Sequence, residues 1–232
     1  MVEERKFIKI GHRGAAGYEP ENTDISFEKA IKLGVDMIEL DVRLCKSGEL
    51  VVIHDDTLER TTNGCGRIRD KTLAELKKLD AGKGQKILTL RAALYLIDQR
   101  VTVNIELKEE KTALPAVELI SIFVKEREWD RNMFLVSSFD HKELKRFRMF
   151  DPFTRVGLLF DEYEDDIFDL ARTLRCYSIN PSAKLTDEYL VNEAHKEGLR
   201  VFVWTANKPE DIQKLKTMGV DGIFSDFPDR LM

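Results

Sequence analysis

Met37-Ile38-Glu39-Leu40-Asp41-Val42 sets two carboxylates two residues apart inside an otherwise apolar run. Alternate residues of a β-strand point to the same side. The run therefore predicts a strand that projects Glu39 and Asp41 together while Ile38, Leu40 and Val42 face the other way. Two anions held that close repel unless a cation lies between them. Taken alone the pair could equally end a strand in solvent. Its company points to a site: His12-Arg13-Gly14, His54-Asp55 and Glu106-Leu107-Lys108.

Outward from this strand, short apolar runs alternate with amphipathic ones. Candidate parallel strands fall at 7–11, 37–42, 101–107, 133–137, 155–160, 176–180, 200–204 and 221–225, with helical patterns near 24–33, 89–98, 113–128, 140–150, 164–173, 186–196 and 208–217. In the first helix Ile25, Phe27, Ala30, Ile31 and Leu33 share a face. Gly34 then leads straight into the Glu39 strand, and the same helix-glycine-strand junction recurs at Gly198 and Gly219. Glycine ends a helix cheaply in the left-handed region, so three copies point to one repeated βα unit. Eight such units in a chain of ~250 residues is what a TIM-type (β/α)8 barrel requires. A doubly wound sheet has fewer strands for its length. The last helix is short or missing, because only a few residues follow the eighth strand.

One segment breaks the rhythm. Lys46-Ser47-Gly48-Glu49 forms a turn, and Leu50-Val51-Val52-Ile53-His54 reads as a short hairpin arm. A glycine-rich loop, Thr61-Thr62-Asn63-Gly64-Cys65-Gly66, and a small helix starting in a capping box from Thr72 to Glu75 follow. Segments this long inside one domain are functional lids or insertions. The whole chain, 1–232, is thus expected to be a single barrel domain with a small insertion after the second strand, residues 44–88, over the barrel mouth.

Composition narrows the class of function. The chain has 232 residues, 43% hydrophobic and 34% charged, a globular balance with room for a substantial core. A net charge of −5 supplies no basic footprint for nucleic acid and no polybasic membrane patch. No apolar run approaches the ~20 residues of a membrane span, and the opening Met1-Val2-Glu3-Glu4-Arg5-Lys6 lacks the order of a signal peptide. A cytoplasmic protein without stable membrane insertion is expected. Cys45, Cys65 and Cys176 are odd in number and have no Cys-x-x-Cys spacing, which suits reduced thiols. The sequence carries no signal of oligomeric state.

Barrel active sites lie at the carboxyl ends of the strands, and the reactive residues cluster there. His12 and Arg13 close the first strand, Glu39 and Asp41 the second, and Glu106 and Lys108 the third. Ser137, Ser138 and Phe139 close the fourth, Asn180 and Pro181 the sixth, Trp204 the seventh, and Ser225 and Asp226 the eighth. Glu39, Asp41 and Glu106 offer three oxygen ligands with no cysteine, which favours a hard divalent cation, Mg²⁺ or Ca²⁺, over zinc. Glu106 and Lys108 could also simply pair along one strand face. Arg13 and Lys108 beside a metal suit an anionic substrate, since such convergence neutralises phosphoryl oxygens. His12 and His54 form a candidate acid-base pair, one to deprotonate the attacking oxygen and one to protonate the leaving one. His141 and His195 sit in helical patterns and are expected to be ordinary surface or core residues. Trp204 is a wall for a small polyol or a core residue, and the acidic run from Asp161 to Asp166 is a solvated face.

These motifs, with Pro20-Glu21-Asn22-Thr23, Val51-Val52-Ile53-His54-Asp55, Arg60-Thr61-Thr62-Asn63-Gly64, Asn104-Ile105-Glu106-Leu107-Lys108, Val203-Trp204-Thr205 and Gly219-Val220-Asp221-Gly222-Ile223, resemble the glycerophosphodiester phosphodiesterase family. They run in family order from residue 11 to about 228. The resemblance implies a TIM-type barrel with an insertion after the second strand, and hydrolysis of glycerophosphodiesters to glycerol 3-phosphate and an alcohol. It also implies Glu39, Asp41 and Glu106 as metal ligands, His12 and His54 as the acid-base pair, and Arg13 and Lys108 as phosphate contacts. Cys65 and Ala206 are minor departures from the family pattern. The nucleophile is left open between water and a neighbouring glycerol hydroxyl that would form a cyclic phosphate. Two rival readings are a phospholipase-type enzyme acting on lipid phosphodiesters and a non-catalytic phosphoglycerol-binding barrel.

Overall fold

The computed structural model describes residues 6–162 and 166–232. Residues 1–5 of the opening stretch, 163–165 of the acidic run, and with them the first residues of the helix expected at 164–173, lie outside the described residues. In chain order the strands are β1 (Ile8–Gly11), β2 (Met37–Leu44), β3 (Leu50–Val52), β4 (Thr102–Leu107), β5 (Phe134–Ser138), β6 (Arg155–Phe160), β7 (Ser178–Pro181), β8 (Arg200–Val203) and β9 (Gly222–Ser225). The helices are α1 (Asp24–Lys32), α2 (Leu73–Leu76), α3 (Leu90–Ile97), α4 (Ala113–Glu126), α5 (His141–Phe150), α6 (Ile167–Thr173), α7 (Glu188–Lys196) and α8 (Pro209–Thr217).

Eight of these strands pair in parallel, and β1 hydrogen-bonds to both β2 and β9, which closes the sheet into a barrel. A single turn of 3-10 helix, Pro228–Leu231, stands where an eighth barrel helix would follow. The βα repeat rests on local signals at both helix ends. Thr23, Thr89, Asp140 and Asp187 cap α1, α3, α5 and α7 by accepting backbone N–H bonds through their side chains. Gly34, Gly198 and Gly219 take φ of 74°, 78° and 83° just beyond α1, α7 and α8, where a side chain would be strained.

The β2 alternation is realised in full. Ile38, Leu40 and Val42 point outward and pack with Phe27, Leu94, Phe123 and Phe147 of the surrounding helices in the main apolar core. Complete burial of each such side chain contributes ~1.5–3 kcal/mol. Inside the barrel, Ile10, Met37, Leu135, Phe202 and Phe224 fill the base as a separate cluster. On the same inward face Glu39 and Asn104 come one step above Met37, and Asp41 and Glu106 the next, so the interior changes from apolar to ionic toward the carboxyl ends.

After β2 the chain turns back as β3, antiparallel to it with Val42 opposite Val52 and Leu44 opposite Leu50. The capping box forms: Thr72 N–H donates to Glu75 Oε2 at 2.7 Å and Glu75 N–H to Thr72 Oγ1 at 3.3 Å. Cys45, Val51, Ile53, Leu58, Ile68, Leu76, Ala81 and Ile87 pack together as an apolar cluster of their own. No helix among the described residues is long and apolar enough to cross a membrane.

Candidate active site

Strand register brings the carboxylates together. Asp41 on β2 lies directly opposite Glu106 on β4, and Glu39 lies opposite Asn104. One oxygen from each of Glu39, Asp41 and Glu106 falls within 4.8 Å of the others, and all three residues are buried. The Glu39 Oε1 and Asp41 Oδ1 atoms are shielded from solvent without a hydrogen-bond partner. Unpartnered buried anions are costly, and a hard cation bound by oxygen ligands is the group that such a donor set fits.

The electrostatics express the same tension. Burial pushes Glu39 well above the ordinary carboxylate range, with Asp41 and Glu106 adding repulsion. Glu106 is pushed up to about 7 by burial and by Asp41, against the pull of Lys108. Burial alone would raise Asp41 too, but Arg13, Lys108 and His54 outweigh it and hold it below its usual value.

The two cations are fixed by this cluster. Lys108 Nζ donates to Glu106 Oε1 at 2.6 Å and stands 3.6 Å from Asp41 Oδ1. The Glu106–Lys108 pairing is therefore present, as one edge of the larger cluster. Arg13 Nη1 donates to Glu21 Oε1 at 2.8 Å, and its Nε lies 3.4 Å from Asp41 Oδ2. The Arg13 backbone has φ 51°, and its N–H donates to Glu39 Oε2 at 2.8 Å. A non-glycine residue in that region costs about 1 kcal/mol or more. Here the strained backbone is held by the carboxylate it serves. Asn22 completes the frame by donating its Nδ2 to Asp41 Oδ2 at 2.9 Å.

His12 and His54 flank the carboxylates, and each leans on an aspartate through Nδ1. His12 Nδ1 bonds Asp226 Oδ1 at 2.7 Å, and His54 Nδ1 bonds Asp55 Oδ1 at 2.6 Å. A proton on Nδ1 in each bond leaves the lone pair of each neutral imidazole on Nε2. Burial lowers the His54 pKa, against the pull of Asp41 and Asp55. Asp226 also accepts from Asn207 Nδ2 at 2.6 Å; burial alone would raise its pKa, but His12, Asn207 and Arg13 together hold it below the usual carboxylate range.

These groups share a cavity lined by His12, Arg13, Glu39, His54, Asn104, Glu106, Lys108, Phe139 and Trp204, among others. Trp204 donates its Nε1 to Asn180 O at 2.9 Å and meets Phe139 edge-on, ring centres 5.2 Å apart. It is thus both packed and part of the wall. Every site residue expected from the sequence borders this cavity except Asp41, which is buried beside Glu106. His141 and His195 lie elsewhere, bonded to Leu159 O and to Asp221. Asp226, Asp55, Glu21, Asn22 and Phe139 stood in sequence motifs or at strand ends without roles. Only the His54-Asp55 dipeptide carried a local signal for such a pairing.

The model of the Glycerophosphoryl diester phosphodiesterase family matches residues 12–230. Among curated relatives, a glycerophosphodiester phosphodiesterase of Caldanaerobacter subterraneus subsp. tengcongensis is 39% identical over 98% of this chain and 97% of its own length. One from Bacillus subtilis is 32% identical over 99% and 86%. Among solved structures, an Oleispira antarctica phosphodiesterase in complex with the product sn-glycerol-3-phosphate superposes with TM-score 0.88 at 32% identity, covering 96% of this chain and 94% of that one. The glycerophosphodiester phosphodiesterase of Thermotoga maritima does so with TM-score 0.81 at 33% identity, covering 98% and 97%.

Proposed function

The chain belongs to the glycerophosphoryl diester phosphodiesterase family, and from that premise we propose how its own residues hydrolyse a glycerophosphodiester to glycerol 3-phosphate and an alcohol. The observation that carries the reading is the convergence of three buried carboxylates with two aspartate-backed histidines and two cations in one cavity.

Glu39, Asp41 and Glu106 are the ligands of a divalent cation, Mg²⁺ or Ca²⁺ because all three donors are carboxylate oxygens. Bound there, the ion would supply positive charge to the phosphoryl oxygens. Arg13 and Lys108 hold the same anionic group, and Trp204 with Phe139 walls the glycerol side. One histidine takes the proton of the attacking oxygen, and the other gives a proton to the departing alkoxide as the P–O bond to the alcohol breaks. Asp226 and Asp55 keep each imidazole in the tautomer that leaves Nε2 for this exchange. The substrate is small in this reading, because Trp204 and Phe139 line the same cavity as the carboxylates and histidines and close one side of it. Residues 44–88 act as one insertion over the barrel mouth and carry His54 to the site. A cytoplasmic location belongs to the same reading and agrees with three free cysteines.

The test is release of glycerol 3-phosphate from several headgroup esters with Mg²⁺, Ca²⁺, Mn²⁺ or chelator, beside intact phospholipid. Release from the water-soluble esters, abolished by chelator, is expected. No release with any ion, or turnover of phospholipid alone, overturns the reading.

A further inference from the structure

Arg60 lies in the insertion, about half exposed, and its guanidinium makes four charge-assisted bonds. Two go to Asp55, from Nε at 2.6 Å and Nη2 at 2.9 Å. The other two go to Glu21, from Nη1 at 2.7 Å and Nη2 at 2.8 Å. The same oxygens face the site: Asp55 Oδ1 also holds His54 Nδ1, and Glu21 Oε1 also holds Arg13 Nη1. One planar fork therefore joins the partner of a histidine carried by the insertion to the partner of an arginine carried by the barrel.

We propose that Arg60 is a positioning residue that sets the placement of His54 and Arg13 together, and so couples the seating of the insertion to assembly of the reactive geometry. Without it, Glu21 would keep only Arg13 and Asp55 only His54, and two carboxylates would face each other across the seam between insertion and barrel with no shared cation. Each would then be free to swing with its own solvent shell, and His54 and Arg13 would lose a common reference. Lysine offers one point charge and cannot bond both carboxylates bidentately. A misplacement of about 1 Å at the chemistry is worth up to ~10²-fold in rate. The proposal rests on the roles given above to His54 and Arg13.

The test measures kcat and KM for glycerophosphocholine with Mg²⁺ in the parent, Arg60→Gln, Arg60→Lys, His54→Ala and the Arg60→Gln/His54→Ala double variant. Affinity for sn-glycerol 3-phosphate is measured alongside in the parent, Arg60→Gln, Arg13→Ala and their combination. Arg60→Gln is expected to keep the parent melting temperature and to lower kcat ~10-fold or more. Arg60→Lys should recover little of that loss. Once His54 is absent the effect on kcat should shrink to under about threefold, and once Arg13 is absent the effect on product affinity should vanish, as residues acting as a unit require. Near-parent kcat and product affinity in Arg60→Gln overturn the proposal, as do equal fold losses with and without His54 and Arg13. Normal turnover in His54→Ala instead removes the acid-base role of His54, and the product-affinity cycle then decides whether Arg60 positions Arg13.

Discussion

His12 and Asp226 are 214 residues apart in the chain and 2.7 Å apart in the structure. The bond ties the first barrel strand to the last across the closing seam, because β1 and β9 are paired neighbours with Gly11 opposite Ser225. Closure of the barrel and orientation of the His12 imidazole are thus one event. His12→Ala is expected to lower kcat ~10²–10⁴-fold. Asp226→Asn keeps the ring and loses the carboxylate that fixes its tautomer, with an expected loss of ~10²-fold. Steady-state kinetics of glycerol 3-phosphate release check both, and near-parent turnover in His12→Ala would remove it from the chemistry.

Glu39 and Asp41 test the cation. Glu39→Gln or Asp41→Asn removes one charged oxygen donor from a three-carboxylate set, so affinity for a divalent ion should fall ~10-fold or more. Titration calorimetry with Mg²⁺ and Ca²⁺ reads this directly, without any turnover. Parent-like affinity in both variants would place the ion elsewhere.

The raised carboxylates predict an uncommon dependence of stability on pH in chelated protein. Glu106 holds its proton to about 7 when folded, whereas its ordinary value is 4.5, and Glu39 shifts the same way. Between those values the native state binds more protons than the unfolded chain, so stability falls as pH rises. The contribution is full below pH 4.5 and is lost on passing about 7. Asp41 and Asp226 are shifted downward, so their contributions are lost only in stronger acid. Melting temperature in chelator should therefore drop between about pH 5 and about pH 8, and saturating Ca²⁺ should flatten the slope by keeping the carboxylates ionised. Parallel curves with and without the ion would contradict the competition between proton and cation.

Arg13 tests anion recognition. Its guanidinium is buried and already oriented by Glu21, so Arg13→Ala removes a placed, charge-assisted donor. The expected loss in affinity for sn-glycerol 3-phosphate is ~10–10²-fold. Arg13→Lys should recover only part of it.

The barrel was legible because its signals are local. Glycines at 34, 198 and 219, the Thr72–Glu75 capping box and the apolar alternation along β2 each report on a few adjacent residues. The inward pair Glu39 and Asp41 was legible for the same reason. What supports the site was not. Asp226 beside His12 and Arg60 across to Glu21 are joined only by the closed tertiary structure, and the nearer Arg13–Glu21 pair spans a loop with no periodic signal. Periodicity holds no information about which distant carboxylate a given imidazole will meet. Nor did it show that Lys108 serves Glu106 and Asp41 at once, which depends on the β2–β4 register.

Cys45, Val51, Ile53, Leu58, Ile68, Leu76, Ala81 and Ile87 pack with one another, apart from the barrel-wall core that Leu50, Val52 and Leu88 of the same stretch join. Mutations confined to this small cluster can therefore accumulate without loosening the scaffold that holds the carboxylates. Descendants of such a chain could trade one alcohol for another at the doorway while the hydrolytic floor stays unchanged.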